Sequence, residues 1–115
     1  MRHEESNIQQ SCVTWFRLQY PSLSVNLFAV PNGGARRRIE SAIMKAEGVT
    51  AGVSDLILLY ASHGFHALCV EMKTEKGRQS PAQKQWQKAV ENAGYRYEVC
   101  RSLDDFMSVV KDYLR

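Results

Sequence analysis

Asp55-Leu56-Ile57-Leu58-Leu59-Tyr60 and Ala67-Leu68-Cys69-Val70-Glu71-Met72-Lys73 are two apolar runs with Ser62-His63-Gly64-Phe65 between them. The spacer is short enough for a hairpin, so strands over 55–61 and 66–73 are expected to be antiparallel neighbours, apolar on both faces like the middle of a sheet. Asp55 begins the first strand and Glu71 ends the second, and a tight connection puts both at the end of the sheet away from Gly64. Along the second strand Leu68, Val70 and Met72 face one way and Cys69, Glu71 and Lys73 the other. Glu71 and Lys73 then stand roughly 7 Å apart, at about 3.3 Å per residue. Met72 anchors the pair from behind, and its backbone carbonyl lies between them as a further hard oxygen. Two carboxylates able to share a divalent cation, with an ammonium beside them, are the minimum equipment for metal-assisted phosphodiester hydrolysis.

Outward from this hairpin the hydrophobic period alternates between helix and strand. Residues 4–18 repeat Ile8, Cys12, Trp15 and Phe16 on one helix face, and Pro21 ends the pattern. Residues 23–30 read as a strand broken by Asn32-Gly33-Gly34, and Ile39, Ala42, Ile43 and Ala46 mark a second helix stopped by Gly48. After the hairpin, Ser80-Pro81-Ala82-Gln83 supplies an N-cap, a first-turn proline and a capping-box glutamine. The helix it opens turns Ala82, Trp86, Ala89, Val90 and Ala93 inward and precedes Gly94. Residues 95–100 form a last strand, and Leu103, Phe106, Val110 and Leu114 a closing helix. The expected fold is α/β, in the order α-β-α-β-β-α-β-α, with a central mixed sheet flanked by helices. No internal repeat or low-complexity stretch interrupts it.

A chain of 115 residues with 44% hydrophobic and 23% charged residues can bury one core, so residues 1–115 are expected to be one ordinary globular domain. The N-terminus lacks the apolar stretch of a signal peptide, and no run approaches the roughly 20 residues of a spanning helix. A cytoplasmic protein with no membrane partner is the expectation. Cys12, Cys69 and Cys100 are odd in number and set among apolar neighbours, as buried free thiols would be. The net charge of +3 leans only slightly towards nucleic acid.

The placement of charge says more than its total. Arg36-Arg37-Arg38 stands at a helix start, where cations oppose the helix dipole. A glycine-rich loop followed by three guanidinium groups suits phosphates, and Lys76, Arg78 and Lys84 extend that surface around the loop after Lys73. Glu5 shares a helix face with Ile8, Gln9, Cys12 and Phe16 and can look towards the sheet, with Glu4 as the alternative. Acids in a first turn also favour the dipole whatever the function. A capping box alone accounts for Ser80 and Gln83. His3, His63 and His66 are not at metal-ligand spacings, and Trp15 and Trp86 lie on apolar faces that suit a core better than base stacking.

In order, Glu5 with Ile8-Gln9, Asn32-Gly33-Gly34 with Arg36-Arg37-Arg38, Gly52-Val53-Ser54-Asp55, Glu71-Met72-Lys73, and Ser80 with Gln83 and Trp86 resemble the virus-type replication-repair nuclease (VRR-NUC) domain of the PD-(D/E)XK nuclease superfamily. The likeness covers nearly the whole chain and departs from the family at Ser54, where proline is usual. It implies Mg²⁺- or Mn²⁺-dependent hydrolysis of DNA, leaving a 5′-phosphate and a 3′-hydroxyl. Asp55, Glu71 and the Met72 carbonyl would hold the metal, and Lys73 would orient or help deprotonate the attacking water. Glu5 would bind a second metal or an outer-shell water, and Gln83 would support the site. Free-standing domains of this size resemble dimeric four-way-junction resolvases. The expectation is therefore a homodimer that nicks branched DNA, Holliday junctions first and flaps or splayed arms second. The rival is a non-catalytic nucleic-acid-binding module or an assembly subunit of a phage replication or repair complex. A dinucleotide-binding enzyme is disfavoured, since no glycine-rich dinucleotide turn follows any strand.

Overall fold

Two consecutive residues with left-handed backbone close the central hairpin: His63 at φ 51° and Gly64 at φ 82°. Both central positions positive is the primed turn whose twist matches paired strands. Ser62 and Phe65 exchange backbone hydrogen bonds across it (3.1 and 2.9 Å). In this computed structural model the backbone is described for residues 2–31 and 38–115, and side chains for 3–31 and 41–115. Asn32-Gly33-Gly34, Arg36 and Arg37 therefore lie outside the described residues, as does the Arg38 side chain.

The hairpin strands are β2 (Leu56–Leu58) and β3 (Leu68–Met72), with Leu56 opposite Val70 and Leu58 opposite Leu68. β1 (Leu27–Ala29) adds antiparallel to β2, and β4 (Arg96–Cys100) adds parallel to β3, giving the sheet order β1-β2-β3-β4. The helices are α1 (Arg2–Gln19), α2 (Arg38–Ala46), α3 (Pro81–Asn92) and α4 (Leu103–Leu114). The expected order of elements and the mixed sheet are both present.

Every residue of β3 is buried, so the strand is covered on both sides. On one side Leu68, Val70 and Met72 join Cys12 and Phe16 of α1 and Phe106, Val110 and Tyr113 of α4 in one core cluster. The Tyr113 hydroxyl donates to the Tyr60 carbonyl (2.7 Å), and the Ser62 hydroxyl donates to the Tyr113 carbonyl, so the end of α4 is tied to the hairpin. On the other side Cys69 and Glu71 meet Tyr97 of β4 and the start of α3. All three cysteines are buried free thiols.

The strand expected over 23–30 is a correction. Residues Pro21–Asn26 form a 3₁₀ helix and only Leu27–Ala29 pair in the sheet. Pro21 presets the first turn, closed by Leu23 N–H to the Tyr20 carbonyl (2.9 Å). Ser22, Ser24 and Asn26 favour such turns over a ladder, and Arg17 fixes the carbonyls of Ser24 and Leu27. Alternation at Leu23, Val25 and Leu27 imitates a strand, yet Val25 is 88% exposed. The first hairpin strand is also shorter than 55–61, because Leu59 and Tyr60 emerge into solvent after Leu58. Among the described residues, no helix is long and apolar enough to cross a membrane.

Candidate active site

One step beyond Leu56 and Val70, the β2–β3 register sets Asp55 opposite Glu71. β2 ends here, and the Met72 N–H donates to Asp55 Oδ2 at 2.6 Å. A strand residue's carbonyl points to the same side as its N–H, so the Met72 carbonyl is directed towards the Asp55 edge of β3. Asp55 is half-buried and Glu71 is 1% exposed.

Both Glu71 oxygens accept hydrogen bonds. Gln83 Nε2 donates to Oε2 and the Tyr97 hydroxyl to Oε1, each at 2.8 Å. The capping box decides which end of the Gln83 amide faces Glu71. Its Oε1 accepts from the Ser80 N–H (2.8 Å) while Ser80 Oγ accepts from the Gln83 N–H (3.2 Å), leaving the amide nitrogen as the group that reaches the carboxylate. Gln83 thus caps α3 and contacts Glu71 with the same side chain. Tyr97 could not be found from the sequence, because only the parallel pairing of Cys69 with Tyr97 puts that ring on the Glu71 face.

The approach to Asp55 is held from two directions. Ser54, standing where the similar family usually has proline, is fully buried, and its hydroxyl donates to the Leu56 carbonyl across Asp55 (3.1 Å). Two residues earlier Gly52 has φ 88°, and a β-carbon there would meet the Ala82 carbonyl oxygen at 2.4 Å. The loop before Asp55 therefore lies directly on the backbone of α3, which brings Asp55 and Gln83 to the same place.

Lys73 follows Glu71 on the same face, and its N–H bonds the Cys100 carbonyl (3.0 Å). Its stem runs over Gly77, where a β-carbon would stand 3.3 Å from Lys73 Cδ. Arg101 Nη1 donates to the carbonyls of Thr74, Glu75 and Gly77 (2.8, 3.2 and 2.7 Å), pinning the loop after Lys73 to the end of β4. Like Tyr97, Arg101 gave no signal in the sequence, since its partners are backbone atoms more than 20 residues away.

A cleft of about 1140 Å³ opens in front of Asp55. Its walls include Glu5, Gln9 and Val13 of α1, Met44 and Lys45 of α2, and Ser80 and Gln83 at the start of α3. Glu5 is half-buried and shares this cleft with Asp55, whereas Glu4 is exposed and does not line it. Among the described residues no three His, Cys, Asp or Glu side chains converge closely enough to ligate one ion, so Glu5 does not complete a ligand set with Asp55 and Glu71. Lys76, Arg78 and Lys84 are exposed and lie outside the cleft lining.

Burial pushes the Glu71 carboxyl up to about 7, and the Asp55 charge adds to the rise; the Tyr97 hydrogen bond and the Lys73 charge oppose it. Without a cation, protonation of Glu71 relieves its repulsion by the Asp55 charge. A hard cation placed there would do the same with two positive charges, and two carboxylates plus a carbonyl leave positions for water and phosphate oxygen, as Mg²⁺ prefers. The donor set therefore fits such an ion.

The folded state holds the Glu71 proton more tightly than the unfolded chain. Metal-free protein should therefore be most stable below pH 4.5 as far as this group is concerned, and lose that contribution as pH rises to about 7. Each pH unit across the interval costs up to about 1.4 kcal/mol. Urea denaturation of wild type and Glu71→Gln at a series of pH values measures the difference, and parallel curves for the two proteins would refute it. Added Mg²⁺ or Mn²⁺ at pH 8 should raise the wild-type midpoint by mass action.

The VRR-NUC domain family model matches residues 1–104. Among solved structures, a chain described as a VRR_NUC domain protein superposes with a TM-score of 0.84 at 28% sequence identity. The alignment covers 96% of this chain and 87% of that one. No curated protein matches the sequence.

Proposed function

Because the chain belongs to the VRR-NUC domain family, which implies a nuclease-type function, we propose that it is a Mg²⁺- or Mn²⁺-dependent endonuclease hydrolysing DNA phosphodiesters. The observation that carries this reading is the Asp55 carboxylate held on the Met72 N–H just beyond the end of the β2–β3 ladder, close enough for its charge to act on Glu71, with Lys73 next on the same face as Glu71. Asp55, Glu71 and the Met72 carbonyl would hold the cation. When bound, it supplies Lewis-acid stabilisation of the phosphate charge and lowers the pKa of water.

The chain's own residues do the rest. Gln83 and Tyr97 keep the Glu71 carboxylate in one orientation, and the Met72 N–H does the same for Asp55. Lys73 orients the attacking water and offsets negative charge that builds on the phosphate. The water oxygen bonds to phosphorus, the bond from phosphorus to the 3′ oxygen breaks, and that oxygen takes up a proton, leaving a 5′-phosphate and a 3′-hydroxyl. Glu5, across the cleft from α3, acts on an outer-shell water or a second cation. Arg36, Arg37 and Arg38, with exposed Lys76, Arg78 and Lys84, bind backbone phosphates, so affinity falls steeply with salt and depends little on base sequence.

We further propose a homodimer that nicks branched DNA, because one site per chain requires two copies to cut two strands in concert. Labelled four-way junction, flap and linear duplex are incubated with Mg²⁺, Mn²⁺ or EDTA, beside Asp55→Ala and Lys73→Ala. Metal-dependent cleavage of the junction first and the flap second is expected, with a dimer in size-exclusion chromatography. Cleavage that survives both substitutions would overturn the site, and equal cutting of continuous duplex would overturn the substrate.

A further inference from the structure

Behind Glu71, away from the cleft, a line of hydrogen bonds runs from the surface to the site. Gln87 Nε2 donates to Glu91 Oε2 (3.2 Å), Gln79 Nε2 donates to Gln87 Oε1 (2.9 Å) and to the Tyr97 hydroxyl oxygen (3.2 Å), and that hydroxyl donates to Glu71 Oε1 (2.8 Å). Counting donors fixes every direction in the line. A carboxylate only accepts, so Glu91 draws the nitrogen of the Gln87 amide and turns its oxygen to Gln79. That oxygen demands the nitrogen of Gln79, whose second hydrogen faces Tyr97. Tyr97 already accepts from Gln79, so its single proton goes to Glu71.

Packing alone does not call for the line. Tyr97 is 6% exposed and packs its ring against Trp86 with centroids 6.1 Å apart, and phenylalanine would fill the same space. What a hydroxyl adds is one donor aimed at one carboxylate oxygen, opposite the donor that Gln83 aims at the other.

Resting on the metal-dependent reading above, we propose that Tyr97 is a positioning residue. Its hydroxyl, aimed by Gln79, Gln87 and Glu91, fixes the orientation of the Glu71 carboxylate and so sets how tightly a divalent cation is held at Asp55 and Glu71. Hydrogen-bond partners of metal ligands commonly govern affinity in this way, by about 10- to 100-fold.

The test measures Mn²⁺ binding to the DNA-free protein by calorimetry, with cleavage measured separately across a Mn²⁺ titration. Tyr97→Phe should raise the Mn²⁺ dissociation constant and the half-saturating Mn²⁺ for cleavage by about 10- to 100-fold, while saturating Mn²⁺ restores most of the rate. Gln79→Met, at a half-buried position outside the core, should move both quantities in the same direction by less. The double variant should be no worse than Tyr97→Phe alone, because Gln79 acts through Tyr97. If Tyr97 served packing alone, phenylalanine in the same space would leave both Mn²⁺ constants unchanged, which overturns the proposal. A wild type that binds Mn²⁺ but cuts no DNA would overturn the proposed function and leave this inference standing. A wild type that binds no Mn²⁺ would overturn both.

Discussion

Asp55→Asn should reduce Mg²⁺-supported DNA cleavage by about a thousandfold, corresponding to roughly 4 kcal/mol of transition-state stabilisation at about 1.4 kcal/mol per factor of ten. A loss on this scale is what the proposed cation-binding role of Asp55 entails, because an ion acting as Lewis acid contributes several kcal/mol. The substitution is informative because it separates charge from shape. Asparagine keeps an oxygen that can accept the Met72 N–H now bonded by Asp55 Oδ2, so the end of the ladder survives. Repulsion of Glu71 by the Asp55 charge disappears, so metal-free protein should melt no lower than wild type. Loss of activity with unchanged or raised stability is the signature of a residue kept for chemistry. The check is a single-turnover rate on a four-way junction beside a thermal melt in EDTA. A variant that keeps a tenth of the wild-type rate, still abolished by EDTA, would remove Asp55 from the cation site.

Gly52→Ala should give the largest loss of stability from a single added methyl group, about 3 kcal/mol. Two costs combine. At φ 88° a β-carbon brings the steric penalty of left-handed backbone, about 1–2 kcal/mol. The same carbon would sit 2.4 Å from the Ala82 carbonyl oxygen and 2.9 Å from the Gln83 nitrogen. These are backbone atoms in the first turn of α3, which no rotamer change can move, and overpacking of this kind adds about 1–3 kcal/mol. Relief requires the loop to lift from α3, which parts Asp55 from Gln83. Activity should therefore fall further than the folded fraction does, measured by urea denaturation and by cleavage under conditions where the variant is fully folded. A wild-type urea midpoint for Gly52→Ala would show that the loop does not rest on α3.

Asp55 and Glu71 were readable because an antiparallel hairpin converts sequence spacing into proximity without knowledge of the rest of the fold. The start of α3 was readable for a similar reason, as a capping box is entirely local. Tyr97 joins the site through a parallel pairing made after a helical crossover, and Arg101 through carbonyls of the 74–77 loop. No period or spacing records such contacts. The strand expected over 23–30 failed because period-two alternation at Leu23, Val25 and Leu27 was set against Pro21 and three turn-forming polar residues, and the local turn chemistry prevailed. Gln83 shows that a structural explanation from sequence need not exclude a second role. The capping bond that accounts for the residue also turns its amide nitrogen towards Glu71.

The first and last helices lie together, α1 giving Cys12 and Phe16 and α4 giving Phe106, Val110 and Tyr113 to the same apolar cluster over Leu68, Val70 and Met72. Synthesis delivers these partners at opposite times. While a ribosome is still adding residues after Cys100, the hairpin with Asp55 and Glu71 already exists as chain, but the strand that carries Glu71 has on that side only the cover that Cys12 and Phe16 of α1 can give. The emerging chain must therefore keep part of an oily surface waiting until α4 has been made.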